Sequence, residues 1–438
     1  MKKALTLLLA LVMVLSLVAC GNSQPNTTGS KNDPTTKPNT TTKPTEATQP
    51  STAPSEPIEP EDPATIFAID NEQFSFAVLS ANNTEDGYIL NVSIQNKTTS
   101  ALSFMVNNAS ANDYVCTDVT MYCEVNGSET GTCELLLPRS VLDINSITEP
   151  TKVEFALYVE NSATWDVLYN DPCTIYPKGE ENHVDDGGYT AKEGDTVLID
   201  NEHCTVIVTG YEPNNEMGYV VNLYVSNKSD KNLNVAAVGM TINDLVFDPN
   251  WSVDIAAGKR CFSQMIWWGD AFANYGVGDI TKIDFDLSAK DNIDPESPEF
   301  AGVHCTLYPM GEEAYKPFER PTQETDIILM DNEYVTIIAT SIGFDANGDY
   351  IMILFIQNKS DVNVVVKPTT VCLNGVEIDP WWYATVPAGK PTYGSITWFG
   401  SNLNSYDITT VETITMTMTI SDENGETTFV TEDITINP

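Results

Sequence analysis

Aromatic side chains in two equivalent loops are the residues of this sequence best suited to hold a ligand. Trp251 and Trp382 are 131 residues apart, and each follows shortly after an Asp-Pro pair. Aromatic rings on such a loop could stack on a sugar ring or grip a peptide, whereas the alternative is that they plug the end of a core. The candidate binding residues are Trp251, Trp381, Trp382 and Tyr383. The first repeat has Thr120 at this position, so we expect no such site there.

Two cysteines of the second repeat fall at positions that are apolar in sister copies: Cys204 matches Phe74 and Val335, and Cys305 matches Ile434. We interpret them as a candidate disulfide or a buried thiol pair. His203 and His304 precede them, which raises the question of a zinc site. Neighbouring residues of a strand point to opposite faces, so the two thiols and the two imidazoles cannot converge on one ion. The sequence therefore predicts no metal and no cofactor.

The composition argues against an enzyme and against a nucleic-acid-binding protein. The chain has 3 histidines, and it contains no nucleophile–His–acid arrangement, no glycine-rich phosphate loop and no zinc signature. Its formal net charge of -41 repels phosphate backbones. The acidic excess is shared by the three repeats, which is typical of a solvated surface rather than of a catalytic carboxylate pair.

Three copies of one unit occupy most of the chain. The segment Ile69-Asp70-Asn71-Glu72 returns at 199–202 and 330–333, and an Asn-Lys-Ser/Thr segment recurs at 96–98, 227–229 and 358–360. Asn112, Asn243 and Asn374 are also separated by 131 residues. This period is too long for a solenoid repeat and long enough for a domain.

The repeats are patterned as strands. Apolar side chains alternate with polar ones after Tyr88, Tyr219 and Tyr350, and turn residues such as Asn374-Gly375 separate the runs. We predict an all-β fold, with three tandem antiparallel immunoglobulin-like β-sandwich domains at 64–178, 195–310 and 326–438. Because the linkers between them are polar, we expect limited interfaces between the domains.

The order of these features resembles a known family. An acidic-Asn segment, a Tyr-led strand that ends in Asn-Lys-Ser/Thr, an Asn-Gly turn and an Ala-Gly-Lys turn at 257–259 or 388–390 follow one another. This is similar to the immunoglobulin-like domains of Firmicutes cell-surface lipoproteins of the DUF4352 type. The first repeat departs from the pattern, with Asn126-Gly127-Ser128 at the last turn. The resemblance implies a fold and a cell-surface setting, and it transfers no catalytic residue.

The N-terminus predicts export and a lipid anchor. Lys2 and Lys3 precede an apolar run that ends at Leu17-Val18-Ala19-Cys20, which resembles the bacterial lipobox. We therefore predict a signal peptide at 1–19 and lipidation of Cys20, with two acyl chains for stable attachment. Residues 20–63 are rich in threonine and proline and lack aromatic residues, so we predict a disordered tether.

These features favour a monomeric protein on the outer face of the bacterial cytoplasmic membrane, exposed at the cell surface. The function predicted is non-catalytic: binding or adhesion to an extracellular peptide, protein or glycan. Two alternatives stay open, which are a structural or envelope-assembly lipoprotein without a small ligand, and an auxiliary carbohydrate-binding protein.

Overall fold

The computed structural model describes residues 65–269, 272, 275–294 and 299–438. The predicted signal peptide, Cys20 and the tether lie outside the described residues. The regular secondary structure of the described residues is almost entirely β-strand, and the helices with described bounds are short, at Arg139–Ile144 and Gly400–Ser405. The prediction of an all-β, multi-domain fold with sandwich-like sheets is confirmed. Within the described ranges, no helix has the length and apolar character needed to cross a membrane.

The described residues form twenty-seven strands, numbered in chain order, which fall into the three repeats that we call the first, second and third units. The first unit contains β1 Phe67–Asp70, β2 Phe74–Asn83, β3 Gly87–Asn96, β4 Leu102–Ala111, β5 Tyr114–Val115, β6 Tyr122–Val125, β7 Thr130–Pro138, β8 Val153–Asn161 and β9 Val167–Ile175. The second contains β10 Thr196–Asp200, β11 Cys204–Asn215, β12 Gly218–Asn227, β13 Leu233–Ile242, β14 Leu245–Val246, β15 Ser252–Ile255, β16 Arg260–Trp268, β17 Ile283–Asp291 and β18 Ala301–Leu307. The third contains β19 Ile327–Asp331, β20 Val335–Phe344, β21 Tyr350–Asn358, β22 Val364–Leu373, β23 Val376–Glu377, β24 Ala384–Val386, β25 Pro391–Trp398, β26 Ile414–Asp422 and β27 Thr428–Ile436.

Each unit divides its strands between two sheets, and two of the sheets continue from one unit into the next. The first unit begins with the sheet β1-β2-β3-β7, and the third ends with β23-β22-β26-β27, where β24 also pairs with β22. The order β10-β11-β12-β16-β5-β4-β8-β9 joins the first and second units, through one parallel pairing of Arg260 with Tyr114. The order β18-β17-β13-β14-β25-β21-β20-β19 joins the second and third, through Val246 and Thr392. These contacts cover sheet edges that would otherwise be open to pairing with other chains.

Alternation along the strands fills the space between the sheets. Leu90, Val92 and Ile94 of β3 are buried, as the alternating pattern predicted. The largest fully buried side chains of the second and third units are Trp267 and Trp398. Burying a side chain of this size removes it from water and stabilises the fold by about 2–3 kcal/mol.

The repeated Asn-Lys-Ser/Thr segment has a structural role. Asn358 is fully buried, its amide donates to the backbone oxygens of Val362 and Val386, and its Oδ1 accepts from the backbone and hydroxyl of Ser360. Asn96 and Asn227 make the equivalent bonds in their units. Each side chain thus satisfies backbone groups where a strand ends, which apolar residues could not do.

The repeated Asp-Asn segment closes the first hairpin of each unit. The Oδ1 of Asn332 accepts the backbone N–H groups of Tyr334 and Val335, and Asp331 pairs with Lys359. The same bonds recur around Asn71 and Asn201. The asparagines that define the repeat are therefore accounted for by backbone hydrogen bonding.

The expectation of limited interfaces between the units is wrong. At the first junction, the Nζ of Lys259 in the second unit lies 2.6 Å from Oδ1 of Asp113 in the first. At the second, the Nζ of Lys390 lies 2.6 Å from Oδ1 of Asp244. The polar linkers also contribute aromatic residues, Tyr189 and Phe318, that pack against the following unit. Linker polarity did not reveal this, because the contacts pair opposite charges from two different units.

Candidate binding loop and unit junctions

The loop of the third unit that follows Asp379 is held at both ends. The Oδ1 of Asp379 accepts the backbone N–H of Trp381 at 2.8 Å, which fixes a tight turn. On the other side, β24 pairs with β22, so the chain after Tyr383 is part of a sheet. A loop anchored in this way presents its tip at a defined place.

Two aromatic residues of this loop face solvent. Trp381 is 91 % exposed and Tyr383 is 64 % exposed. Trp381 also has a φ of 52°, which is the left-handed region that suits glycine and asparagine and strains a bulky residue. The third unit therefore has a costly backbone conformation at the most exposed of its large hydrophobic side chains.

Trp382 has a different position, because its ring lies on the strand beneath the loop. It packs against the core of the third unit, and a Cβ added to Gly394 would lie 2.6 Å from its Cζ2 atom. Only a glycine at 394 leaves room for the ring in this place. Trp382 thus anchors the loop, and of the four candidate binding residues only Trp381 and Tyr383 present most of their rings to solvent.

The equivalent loop of the second unit buries its tryptophan. Trp251 is 6 % exposed, and its Nε1 donates to Oγ of Ser263 at 3.0 Å. Asp248 makes the same turn as Asp379, with Asn250 at a φ of 56° in the position that Trp381 occupies. Trp251 is a core residue, so it offers no open ring face to a ligand.

The structure corrects the alignment of the first unit at this loop. Cys123 pairs with Phe104 in the first unit, and Val253 pairs with Val235 in the second. Because Phe104 and Val235 are equivalent residues, Cys123 and Val253 are equivalent too. The residue equivalent to Trp251 is therefore Met121, two positions before Cys123, and not Thr120. The period shortens by one residue here, which sequence spacing alone did not reveal.

Sequence reasoning missed a second exposed tryptophan. Trp165 is 72 % exposed and has a φ of 62°, in the hairpin that joins β8 to β9. Its backbone N–H donates to the backbone oxygen of Asn161 at 2.8 Å. A tryptophan in an otherwise polar hairpin was the signal that could have found it.

The cysteines of the second unit are buried thiols. Cys204 and Cys305 line the core of that unit, and no bond joins them, so the candidate disulfide is absent from the structure. Burial raises the pKa of the Cys305 thiol to about 11. Because the reactive form is the thiolate, these thiols are poorly suited to nucleophilic chemistry.

Of the two histidines beside these cysteines, His203 lies in the turn before β11, and His304 is an exposed residue of β18. The ring of His203 packs on Phe300 with 4.9 Å between centroids, and Nδ1 of His304 lies 2.9 Å from Oδ1 of Asp286. Among the described residues, no group of three metal-binding side chains is placed to hold an ion.

Half-buried ion clusters form the two junctions. Asp113 contacts Lys152 and Lys259, and Glu154 contacts Lys259 from the same side. Burial acts to raise the pKa of the Asp113 carboxyl, but hydrogen bonds from the two lysines outweigh it and hold the pKa at about 2. We call Asp113, Lys152, Glu154 and Lys259 the first ion cluster.

The second ion cluster consists of Asp244, Lys282, Asp284 and Lys390. Burial again opposes ionisation of Asp244, while hydrogen bonds from Lys390 and Tyr315 lower its pKa to about 2. The positions that correspond to Asp244 and Lys282 in the third unit are Gly375 and Thr413. The charged residues occur only where another unit follows, and this recurrence was the sequence signal for the junctions.

A cleft of about 660 Å³ lies beside the first junction. Its lining includes Tyr114, Asp186 and Phe262. Asp186 already accepts hydrogen bonds from Tyr114 and Arg260, so its carboxylate is occupied within the protein.

No protein-family model matches the chain, and no curated protein matches it.

Proposed function

We propose that this protein is a membrane-anchored extracellular lipoprotein that binds or adheres to a glycan, peptide or protein through the loop of Trp381, without catalysis. The signal peptide and Cys20 would place it on the outer face of the bacterial cytoplasmic membrane, and the tether would hold the units away from the lipid. The observation that carries the proposal is the exposure of Trp381 in a left-handed conformation.

The conformation of Trp381 supports binding because it costs free energy and the fold does not need a tryptophan at this position. A bulky residue in this region costs on the order of 1–3 kcal/mol, and such strain is concentrated at functional sites. The second unit makes the same turn with Asn250, so the fold does not require tryptophan there. An exposed indole and a nearby phenol are the side chains that most often anchor a polar ligand by stacking.

The test is a comparison of the full chain with a Trp381→Asn variant on an array of glycans and an array of peptides. Asparagine is the residue that the second unit uses at this position, so the variant is expected to fold normally. We expect wild type to bind a restricted set of array members and the variant to lose them. Equal binding by both proteins would reject the loop as the site.

Membrane anchoring needs a separate experiment. A radiolabelled fatty acid is expected to label the full chain in a bacterial host and to fail to label Cys20→Ser. Wild-type protein that stays unlabelled and soluble would contradict the lipoprotein proposal while leaving the binding loop to be judged by the arrays.

A second candidate, a structural spacer, is supported by the two ion clusters. They fix one unit against the next, as a rod-like spacer needs. Because the pKa values of Asp113 and Asp244 are lowered to about 2, their stabilisation is complete above about pH 5 and is lost as the pH falls toward 2. Small-angle scattering of the full chain is expected to report a fixed shape at pH 7 and a more variable one near pH 2.5. A Lys259→Met, Lys390→Met double variant that keeps the pH 7 shape would weaken this candidate.

A further inference from the structure

The first unit differs from the other two at one edge of its sandwich. In the second unit, Trp251 covers this edge by bonding to Ser263, and in the third, Trp382 lies on Gly394. Strand pairing places Cys133 opposite Val92 in the way that Ser263 lies opposite Leu223 and Gly394 opposite Leu354. The first unit has Met121 in place of the tryptophan and a cysteine in place of the residue beneath it.

A second cysteine faces Cys133 from the neighbouring strand. A Cβ built on Gly131 would lie 2.9 Å from a methyl of Val125 and 3.9 Å from the Sγ of Cys123. Val125 and Gly131 therefore meet across the space between β6 and β7. In an antiparallel arrangement, a step back along one strand matches a step forward along the other. Cys123 lies two residues before Val125 and Cys133 lies two residues after Gly131, so these cysteines form the next inward-facing pair.

The environment of the two thiols agrees with this register. Cys123 is 8 % exposed and Cys133 packs against the same core. Burial, and then a hydrogen bond with Cys123, raise the pKa of the Cys133 thiol. Both side chains are free thiols in the structure.

We propose that Cys123 and Cys133 form a disulfide that closes this edge of the first unit in place of the tryptophan used by the other two. The sister units have Val253 and Ser263, or Ala384 and Gly394, at these positions, so no equivalent bond can form there. The site is independent of the Trp381 loop.

The bond requires an external disulfide as oxidant, either a small-molecule disulfide or that of a thiol–disulfide oxidoreductase. The thiolate of one cysteine attacks the oxidant and forms a mixed disulfide, and the second thiolate then displaces the remaining oxidant thiol. The two protein thiols lose two protons and two electrons, and the oxidant is reduced to two thiols. Because burial disfavours the thiolate, the exchange is expected to be faster during folding than in the folded chain.

The decisive experiment is refolding of the full chain in detergent with a mixture of oxidised and reduced glutathione, followed by alkylation of the remaining thiols. Proteolysis after Asp and Glu separates Cys116 in 114–118, Cys123 in 119–124 and Cys133 in 130–134. We expect the last two peptides to be joined, with a mass two hydrogen atoms below the sum of their free-thiol masses. Alkylation of both cysteines, or a bond from Cys123 to another cysteine, would overturn the proposal.

Two variants provide controls. Cys133→Ser is expected to leave Cys123 alkylated, whereas Cys116→Ser keeps the joined peptides. Reductant is expected to lower the melting temperature of the first unit in wild type and not in Cys133→Ser, and an equal drop in both would also count against the bond. The same peptide analysis is also applied to protein purified from a host that exports it. If Cys123 and Cys133 are joined after refolding but are free thiols in the protein from the host, the result contradicts the proposed export and not the pairing.

Discussion

The loops that begin at Asp248 and Asp379 have the same backbone and different surfaces. Both use the aspartate carboxylate to accept the N–H two residues later, and both place that residue in the left-handed region, at a φ of 56° or 52°. The second unit has Asn250 there and buries Trp251, whereas the third has Trp381 there and exposes it. The fold is thus satisfied by the asparagine version, and the tryptophan version adds a feature that packing does not explain.

This difference separates repeated structure from unrepeated surface. The buried asparagines, the Asp-Asn hairpins and the two ion clusters recur because each unit must close its strands and contact a neighbour. Trp381 and Tyr383 have no exposed aromatic equivalent in the loop of the second unit. Within this loop, the turn that recurs is accounted for by folding, and the exposed Trp381, which does not recur, is the candidate for binding.

The largest expected loss of stability follows from replacing the core tryptophan of the second unit. Trp251→Ala removes a buried ring and its bond to Ser263, and we expect a loss of about 4 kcal/mol of local stability. Hydrogen exchange of β15 and β16 measures it, since a three-unit chain need not unfold in one step. A change below about 1 kcal/mol would mean that Trp251 is not a core plug, and the contrast between the loops would fail.

A smaller loss is expected for Trp382→Ala in the third unit. This ring is only partly buried, so removing it is expected to cost about 2 kcal/mol, seen as faster exchange in β24 and β25. Gly394→Ala is the matched probe, because its Cβ would collide with the ring. The double variant Trp382→Ala, Gly394→Ala should be more stable than the sum of the two single changes predicts, and strict additivity would contradict the contact.

The hydrogen bond of the shared turn is expected to contribute the same stability in both loops. Asp248→Ala and Asp379→Ala each remove one side-chain acceptor at 2.8 Å, and we expect each to cost about 1 kcal/mol. Exchange of the amide of Asn250 or Trp381 reports the change directly. Clearly unequal losses would show that the loops do not share one turn.

The smallest expected effect is a gain of stability, on replacing Trp381. Trp381→Asn relieves strain, so it should raise the stability of the third unit by about 0.5–1 kcal/mol, and Asn250→Trp should lower that of the second by a similar amount. Urea unfolding followed by hydrogen exchange is precise enough for this comparison. A destabilising Trp381→Asn would indicate that the indole has a packing role.

Much of the fold could be predicted from the sequence. Alternation after Tyr88, Tyr219 and Tyr350 identified strands with one buried face, because strand side chains alternate between faces. The junctions could not be predicted in the same way. The bond between Lys259 and Asp113 joins residues 146 apart in the chain, and its sequence signal is not local: charged residues recur at equivalent positions of the first and second units.

The candidate loop was predicted in part. An Asp-Pro pair followed by aromatic residues correctly indicated a turn with tryptophans near it. How far the inner ring is covered depends on the strand beneath it, where Ser263 bonds to Trp251 and Gly394 makes room for Trp382. The ring that faces solvent, Trp381, occupies the left-handed position at the tip of the loop. Those are properties of the packed sandwich, so the sequence could not separate the buried Trp251 from the exposed Trp381.

The most direct test of the account is the affinity of the full chain for its strongest array ligand, measured by calorimetry on wild type and on Trp381→Asn. The account predicts at least a roughly tenfold weaker affinity for the variant, equivalent to about 1.4 kcal/mol, in a protein whose third unit is as stable as wild type or more so. An unchanged affinity in that folded variant would contradict it.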